Sequence, residues 1–283
     1  MANYSILVDT CDAYSDCWAP FFNLFSKYWP DCDADIYLNT EYKDYSYQGL
    51  NIKCTKICQV HGCNPKVQQT WSQRLLWALE MIDTDIVLFM QEDFFLYAPV
   101  DNSAVLKYVQ MMNDNDKIHC LHLTPYLDGD KDGTGIPNID FVDRKYAYRV
   151  DCQSALWRNS VMRQYVDIRE SAWEFEKLGS MRARFMHHNF YKIKKQFLKS
   201  HLILPYYCTG IIKSRWSKRV CQIFSENGIT VDYSIRGFYE DMPKENRVDY
   251  VMTRIPKIPS YLWQIPVLTR LALSYIFKHE HND

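Results

Sequence analysis

Two apolar stretches in the first hundred residues are typical of strands buried in a sheet. Residues 5–8 form a short apolar run, and residues 86–90 form a continuous one, Ile-Val-Leu-Phe-Met. Apolar runs without polar alternation indicate strands that are covered on both faces, as in a parallel sheet. Residues 35–39 predict a further strand by the same criterion. Two weaker patterns predict strands near residues 146–152 and 201–205.

Apolar residues at helical spacing predict helices between these strands. In the first, Trp18, Phe21, Phe22 and Phe25 fall on one side, and Pro30 lies near its end. The other predicted helices cover Trp71–Ile82, with Thr70 or Ser72 as N-cap, then roughly Ser160–Ile168 and Ala172–Met186.

The alternation of strands and helices favours an α/β fold with a largely parallel sheet. In such sheets, ligands bind beyond the carboxyl ends of the strands. Polar residues follow both buried runs at that point: Asp9 and Thr10 after the first, and Gln91, Glu92 and Asp93 after the second. We therefore expect these side chains to share one edge of the sheet.

A polar segment with three glycines, residues 126–138, predicts a surface loop that could act as a lid over a substrate. Asp128, Asp130 and Asp132 imitate the start of a calcium-binding loop. An EF-hand is excluded because Ile139 stands where the bidentate glutamate is required, and no helical pattern flanks both sides.

Charge and aromatic content sharpen this picture. The chain has 21 Tyr, 14 Phe and 8 Trp, which suit stacking on sugars and bases as well as core packing. Residues 1–150 carry 12 Lys and Arg against 21 Asp and Glu, whereas residues 151–283 carry 21 against 13. Either the two halves complement each other, or the basic half meets phosphates or an anionic membrane surface.

Targeting signals are not recognisable. Asp9 and Asp12 interrupt the first apolar run, and no stretch reaches the 18–20 or so apolar residues of a spanning helix. The ten cysteines are therefore interpreted as reduced thiols of a cytoplasmic protein. A cluster that could suggest zinc has a spacing that matches no standard zinc pattern: Cys54, Cys58, His61 and Cys63.

The strand-end carboxylates suit the transfer of a sugar from a nucleoside diphosphate. Such a reaction must neutralise the leaving diphosphate, hold the nucleotide and remove a proton from the acceptor hydroxyl. A carboxylate at a strand end can hold Mg²⁺ or Mn²⁺ while diphosphate oxygens complete the coordination. Asp93, helped by Glu92, is the candidate here; taken alone, acidic residues also end strands for solubility.

Four segments resemble bacterial glycosyltransferases of the GT-A fold, of the kind encoded with capsule and lipopolysaccharide synthesis. They are WSQRLL at residues 71–76, DIVLFMQEDFFL at 85–96, YRVDCQSALW at 148–157 and SAWEFE at 171–176. Together they span about the first two thirds of the chain. The resemblance implies a GT-A-like fold with a single Rossmann-like, mostly parallel sheet.

For the donor, the resemblance places the family's Asp-x-Asp motif at residues 91–93, with Asp93 as metal ligand. Gln91 replaces the first carboxylate, which puts strong dependence on Mg²⁺ or Mn²⁺ in doubt. The residues that it implies for the nucleotide sugar are Asp9, Thr10, Ser72, Arg74, Gln91 and Glu92. A surface ion pair is the alternative role for Arg74.

For the acceptor, the resemblance implies contacts with Gln153 and Trp173 and a catalytic base at Glu174 or Glu176. Two residues apart on a helix, the glutamates point about 200° apart, so that only one can face the site. We prefer Glu174. If the two glutamates lie in the first turn of the helix, their negative charges also interact favourably with the positive end of the helix dipole.

The C-terminal segment is basic and aromatic, and it predicts an interfacial helix from about Pro266 that contacts anionic lipid headgroups. A helix packed on the core is the alternative. Nucleic acid is not expected as a partner, because no recognition module appears and the first half is acidic.

The sequence thus predicts an α/β catalytic domain at residues 1–210 and a helical, basic extension at residues 211–283. We expect a cytoplasmic glycosyltransferase, at the inner face of the membrane, that moves a sugar from a nucleotide-diphosphate donor to a glycan or lipid-linked acceptor. The expectation that it inverts configuration comes from the resemblance. The alternatives are a non-catalytic nucleotide- or glycan-binding protein and a nucleotidyltransferase; the latter is disfavoured because no glycine-rich phosphate loop follows the first strand.

Overall fold

A nine-stranded sheet forms the centre of the protein in a computed structural model, which describes residues 4–126, 130–131, 133–242 and 262–280. The strands are β1 (Tyr4–Asp9), β2 (Asp35–Leu38), β3 (Ile52–Cys54), β4 (Ile86–Gln91), β5 (Phe95–Leu96), β6 (Cys120–His122), β7 (Asp130–Lys131), β8 (Ile139–Val142), β9 (Ala155–Arg158), β10 (Phe190–Ile193), β11 (Tyr206–Tyr207), β12 (Ile211–Ile212) and β13 (Arg215–Trp216).

Helices cover both faces of this sheet. They are α1 (Trp18–Tyr28), α2 (Ile57–Val60), α3 (Trp71–Glu80), α4 (Asn102–Asp114), α5 (Asn159–Tyr165), α6 (Ala172–Ala183), α7 (Lys195–Ser200), α8 (Arg219–Glu226) and α9 (Gln264–Glu280), with 3-10 helices at Asp12–Cys17 and Tyr239–Asp241.

The strand order is β3-β2-β1-β4-β9-β6-β10-β8-β7. Strands β1 to β4 are parallel, and only β8 and β9 run against the other members of this sheet. Two small two-stranded sheets, β5-β11 and β12-β13, lie outside it. The predicted α/β fold with a single, mostly parallel sheet flanked by helices is confirmed.

Alternation along the central strands builds two cores. Ile6 and Val8 of β1 face one hydrophobic cluster, whereas Leu7 faces the other. Successive side chains of a strand point to opposite faces, so β1 and β4 place apolar residues on both faces of the sheet. Helices α1, α4 and α8 contribute to the first cluster, and α3, α5 and α6 to the second.

Most of the predicted elements are present, and Thr70 is the N-cap of α3, where its hydroxyl accepts from the Gln73 amide. The strand predicted at residues 146–152 is wrong: turns occupy this segment, and the strand starts at Ala155. The strand predicted at residues 201–205 is also wrong, because pairing begins only at β11. In both cases, the segment forms turns or bends and pairs with no strand.

The predicted loop at residues 126–138 is partly wrong, since it contains β7, which pairs with β8. Residues 127–129 and 132, which include two of the aspartates that imitate a calcium loop, lie outside the described residues. Within the described segments, no helix is long and apolar enough to cross a bilayer. The division of the chain at residue 210 stays a prediction.

Helix α9 packs against α6. Its first residue, Gln264, is buried and accepts from Nη1 of Arg182 at 3.1 Å. Arg182 also pairs with both carboxylate oxygens of Glu170, at 2.5 and 2.7 Å. Further along α9, the Tyr275 ring stacks on His187. The C-terminal helix is therefore joined to the core by a buried polar network.

Gly210 provides a test of how tightly the segment after β11 is packed. A Cβ at this position would overlap the Phe95 ring and lie 3.0 Å from the carbonyl oxygen of Asp93. We expect Gly210→Ala to lower the free energy of unfolding by roughly 3 kcal/mol through overpacking. Urea unfolding should show a smaller loss, about 1 kcal/mol, for the control Gly228→Ala, where a positive φ is the only penalty. Equal losses would contradict this packing.

Candidate functional site

A cleft of about 820 Å³ opens at the carboxyl ends of β1 and β4. These neighbouring parallel strands end together, with Asp9 paired to Gln91. The lining contains nine of the eleven residues that the sequence singled out, namely Asp9, Thr10, Arg74, Gln91, Glu92, Asp93, Gln153, Trp173 and Glu176. Its volume is in the range of small-molecule and cofactor sites.

The end of β1 forms a buried polar corner of the cleft. Asp9 accepts a hydrogen bond from Nδ2 of Asn39 at 2.8 Å, and Thr10 Oγ1 accepts from the Trp18 indole at 2.9 Å. Burial raises the pKa of Asp9 to about 6, although the Asn39 bond and the Arg74 charge oppose the rise. These groups are fixed before any ligand arrives.

Arg74 enters the cleft from α3, whose start is fixed by the Thr70 cap. Its Nη1 lies 3.1 Å from a carboxylate oxygen of Glu41, and its side chain is largely buried. Its Nε has no hydrogen-bond partner in the described part of the chain. Ser72, on the same helix, is fully buried and does not line the cleft.

Asp93 is held by the segment that precedes the β12–β13 hairpin. Its Oδ2 accepts from Thr209 Oγ1 and from the Ile211 amide at 3.0 Å, while its carbonyl accepts from the Gly210 amide. Burial raises the pKa of Asp93 despite these bonds. Burial and the charge of Asp93 raise the pKa of the adjacent Glu92 well above its ordinary value. Two carboxylates are thus crowded at this end of β4.

The opposite side of the cleft is formed by α6 and the turn before β9. Glu176 lines the cleft, and its Oε1 accepts from the Cys152 amide at 3.0 Å. Burial raises the pKa of Glu176 to about 7, and the charge of Asp151 adds to the rise. A carboxyl group with a pKa near neutrality suits proton transfer at physiological pH.

Glu174, the glutamate preferred from the sequence, has a structural role in this arrangement. Its Oε2 accepts from the backbone amide and hydroxyl of Ser171 at 2.9 and 2.8 Å, which completes a capping box. Glu174 does not line the cleft, whereas Trp173 does, with 71% of its surface exposed. The cap fixes the start of α6 and therefore the direction of Trp173 and Glu176.

Gln153 is positioned by an aromatic residue of β11. The hydroxyl of Tyr206 donates to Oε1 of Gln153 at 2.9 Å and accepts from the Ser154 amide at 3.1 Å. The Tyr206 ring stacks on Phe94, with centroids 4.5 Å apart. Gln153 therefore lies in the cleft with its side chain held in place.

Several lining residues were not predicted from the sequence, among them Tyr14, Asp151, Thr209, Lys213 and Ser214. The last three belong to the segment around the β12–β13 hairpin, which returns to the cleft from far along the chain. The Thr209-Gly210 pair after a short apolar run indicates a turn at a strand end. It does not indicate that this turn lies close to the end of β4. Only the tertiary structure reveals that contact.

The residues present fit a divalent cation held together with a diphosphate. Five carboxylates line the cleft, at Asp9, Glu92, Asp93, Asp151 and Glu176, against the cations Arg74 and Lys213. An anionic ligand therefore needs a counter-ion here, and Mg²⁺ is commonly held by one or two carboxylates plus substrate phosphates. Glu92 and Asp93 are consecutive in sequence at the end of β4.

A metal site formed entirely by protein side chains is not present among the described residues. Among the described residues, no three His, Cys, Asp or Glu side chains are grouped to hold a metal ion. This includes the cysteine-rich segment considered for zinc, where the His61 ring stacks instead on Trp77 at 4.1 Å. The zinc interpretation has no support in this geometry.

Comparisons with known proteins give distant structural similarity only. No family model and no curated protein matches the sequence. Among solved structures, S. aureus TarS 1–349 is 15% identical with a TM-score of 0.41, covering 68% of this chain and 60% of that one. The chain thus spans about 60% of the length of that structure. The same protein in complex with UDP is 14% identical with a TM-score of 0.46, covering 81% and 66%.

A cytidylyltransferase from Leptospira borgpetersenii serovar Hardjo-bovis is a third similar structure. It is 12% identical with a TM-score of 0.40, and the match covers 69% of this chain and 76% of that one. Similarity at these levels does not distinguish one activity from another. The function must therefore be argued from the cleft itself.

The capping box at α6 gives a prediction for stability. Removing the Ser171 hydroxyl leaves the Glu174 amide in the first turn of α6 without its acceptor, so Ser171→Ala should lower the free energy of unfolding by about 1 kcal/mol. The exposed residue Lys177 on the same helix provides the control, and Lys177→Ala should change it by less than about 0.5 kcal/mol. Urea unfolding measures both. A Ser171→Ala protein as stable as wild type would show that the cap does not fix α6.

Proposed function

We propose that this protein is a glycosyltransferase that moves a sugar from a nucleoside-diphosphate donor to a glycan acceptor. The observation that carries this proposal is the convergence of three segments on one cleft: the end of β1, the end of β4 and helix α6. The first two offer groups for a nucleotide and its diphosphate. The third offers a carboxyl group whose pKa of about 7 suits a general base.

On the donor side, the buried corner at Asp9 and Thr10 receives the nucleoside, and Arg74 approaches the phosphates. Mg²⁺ or Mn²⁺, held by Glu92 and Asp93 with diphosphate oxygens, would supply the positive charge that stabilises the leaving diphosphate. The lining supports this role, since Glu92 and Asp93 are consecutive residues in a cleft that contains five carboxylates against the cations Arg74 and Lys213. Gln91 replaces a carboxylate, which leaves room for weak dependence on the metal.

On the acceptor side, Trp173 offers an exposed ring for stacking on a sugar, and Gln153 offers a fixed amide. Glu176 takes the proton of the acceptor hydroxyl while the oxygen of that hydroxyl forms a bond to the anomeric carbon of the donor sugar. The bond from that carbon to the diphosphate breaks, and the nucleoside diphosphate leaves with the electron pair. Attack on the face opposite the leaving group inverts the configuration.

The acceptor is proposed to be lipid-linked, as in the synthesis of a capsule or lipopolysaccharide, at the cytoplasmic face of the membrane. Helix α9 supports a peripheral contact with anionic lipids, because Ile265 and Leu273 are exposed on it together with Arg270, and the exposed Leu262 lies just before it. The same helix packs on α6 through Gln264, so that the two roles considered for it are compatible.

Nucleotide binding provides the first test. Isothermal titration with UDP, GDP, CDP and ADP, each with and without Mn²⁺, should show saturable binding of at least one. Glu92→Gln should weaken that binding in the presence of Mn²⁺ by at least about tenfold, because it removes one metal ligand. The matched control is Asp114→Asn on α4, outside the cleft, which should bind as wild type. Absence of binding by every nucleotide would overturn the proposal.

The two glutamates provide the second test, in a transfer assay with a panel of nucleotide sugars and acceptors. Glu176→Gln should lower kcat/KM by about 10²–10⁴-fold, as expected when a general base is lost. Glu174→Gln should retain activity, because its partner is the helix cap. In the wild type, kcat/KM should rise with pH through about 7, since Glu176 accepts a proton only when ionised.

The same assay separates the other classes of function. Nucleotide binding without turnover would indicate a non-catalytic binding protein. Release of pyrophosphate from a nucleoside triphosphate and a sugar phosphate would indicate a nucleotidyltransferase. Loss of activity in Glu174→Gln with retention in Glu176→Gln would reverse the assignment of the base.

A further inference from the structure

A second carboxylate, Asp151, stands beside Glu176 in the cleft. Both line it, and both are tied to the same turn before β9. The Cys152 amide donates to Oε1 of Glu176 at 3.0 Å, and the next amide, that of Gln153, donates to Oδ1 of Asp151 at 3.1 Å. Because these amides are consecutive, the two carboxyl groups are held next to each other.

Asp151 has a buried histidine on its core side. Its Oδ1 lies 3.4 Å from Nδ1 of His122, whose side chain is fully buried, but this ring nitrogen makes no hydrogen bond within the described residues. The other ring nitrogen of His122 lies 3.3 Å from the carbonyl oxygen of Arg149. Asp151 therefore lies between His122 on the core side and the cleft that it lines.

The outer oxygens of both groups are left for a ligand. Among the described residues, Oδ2 of Asp151 and Oε2 of Glu176 have no hydrogen-bond partner, and neither is a buried unsatisfied atom. A pair of adjacent carboxylate oxygens can accept from two neighbouring hydroxyls. The exposed rings of Trp173 and Tyr148 line the same cleft and offer the flat faces that a sugar ring requires.

We propose that Asp151 and Glu176 together bind a vicinal diol of the acceptor sugar, with Asp151 as a residue that binds the sugar and orients it. This inference rests on the proposed function. Glu176 accepts the proton of the attacking hydroxyl, while Asp151 accepts a hydrogen bond from the neighbouring hydroxyl and fixes the ring. The acceptor class is then a sugar with two free adjacent hydroxyls, one of which is glycosylated.

The charged and titratable groups that face Glu176 determine how Asp151 affects the pKa of Glu176. They are Asp151 and the buried thiol of Cys152 on the turn, Cys208 after β11, and Lys177 on α6 itself. The negative charge of Asp151 raises the pKa of Glu176, whereas Lys177 lowers it. Neutralising Asp151 should therefore lower the pKa of Glu176.

The decisive variant is Asp151→Asn, compared with Asp143→Asn, a nearby aspartate outside the cleft lining. In the transfer assay, Asp151→Asn should raise the KM for the acceptor at least tenfold, the loss expected for one charge-assisted hydrogen bond, and leave donor KM unchanged. The acid limb of its pH profile should move to lower pH. A merely structural role would not move that limb in this direction.

Sugar binding to the wild type gives a second measurement that needs neither turnover nor a folded variant. Methyl glucoside, galactoside and mannoside, with their 2-, 3- and 4-monodeoxy analogues, are compared by saturation-transfer NMR. At least one parent sugar should bind, and removing either hydroxyl of one adjacent pair should abolish binding. Equal binding of all deoxy analogues, no binding of any parent, or an unchanged Asp151→Asn enzyme would overturn the diol proposal.

Failure of the two proposals would look different. If no nucleotide binds but the deoxy series discriminates, the diol site stands without the transferase. If nucleotides bind and sugars are transferred while Asp151→Asn behaves as Asp143→Asn does, the transferase stands without the diol site.

Discussion

The parallel pairing of β1 with β4 is the constraint on which the rest of the site depends. It brings Asp9 and Gln91 side by side at the sheet edge. Both strands are covered by helices on both faces, so that their register is fixed by the two cores. A slip of one residue would turn buried side chains of β4 toward the wrong core and would also separate the polar ends. The same strand register therefore determines both the packing of the two cores and the position of the polar groups at the sheet edge.

Placing carboxylates at a partly buried edge has a cost that the structure offsets with specific hydrogen bonds. Asn39 donates to Asp9, and Thr209 and the Ile211 amide donate to Asp93. These bonds do not cancel the effect of burial, since the pKa values of both aspartates remain raised. The cleft lining nevertheless contains more carboxylates than cations, and a cation is what a diphosphate in this cleft would require.

Sequence reasoning predicted the elements whose local pattern and tertiary environment agree. The continuous apolar runs identify β1 and β4, and the polar residues that end them identify the cleft edge. It failed at residues 146–152, where Arg149 is buried and donates to the carbonyl oxygen of His188, and Asp151 is buried 3.4 Å from His122. Burial of such groups depends on partners distant in sequence, which periodicity does not report.

The choice between Glu174 and Glu176 shows where a local signal was available and was not used. Their separation of two residues implies opposite directions but not which one faces the cleft. Ser171 three residues before Glu174 is the signature of a capping box, and this pattern assigns Glu174 to the helix start. Thr209 had no such signal, because its contact with Asp93 joins residues 116 positions apart.

Helix α6 links the proposed base to the C-terminal part of the chain. Its first turn is fixed by the capping box, and its last turn is fixed by Arg182, which is bound to Glu170 and to Gln264 of α9. Breaking a buried ion pair by removing one partner typically costs about 3–5 kcal/mol. Trp173 and Glu176 lie between these two fixed ends, so the acceptor side of the cleft depends on contacts made at both ends of α6.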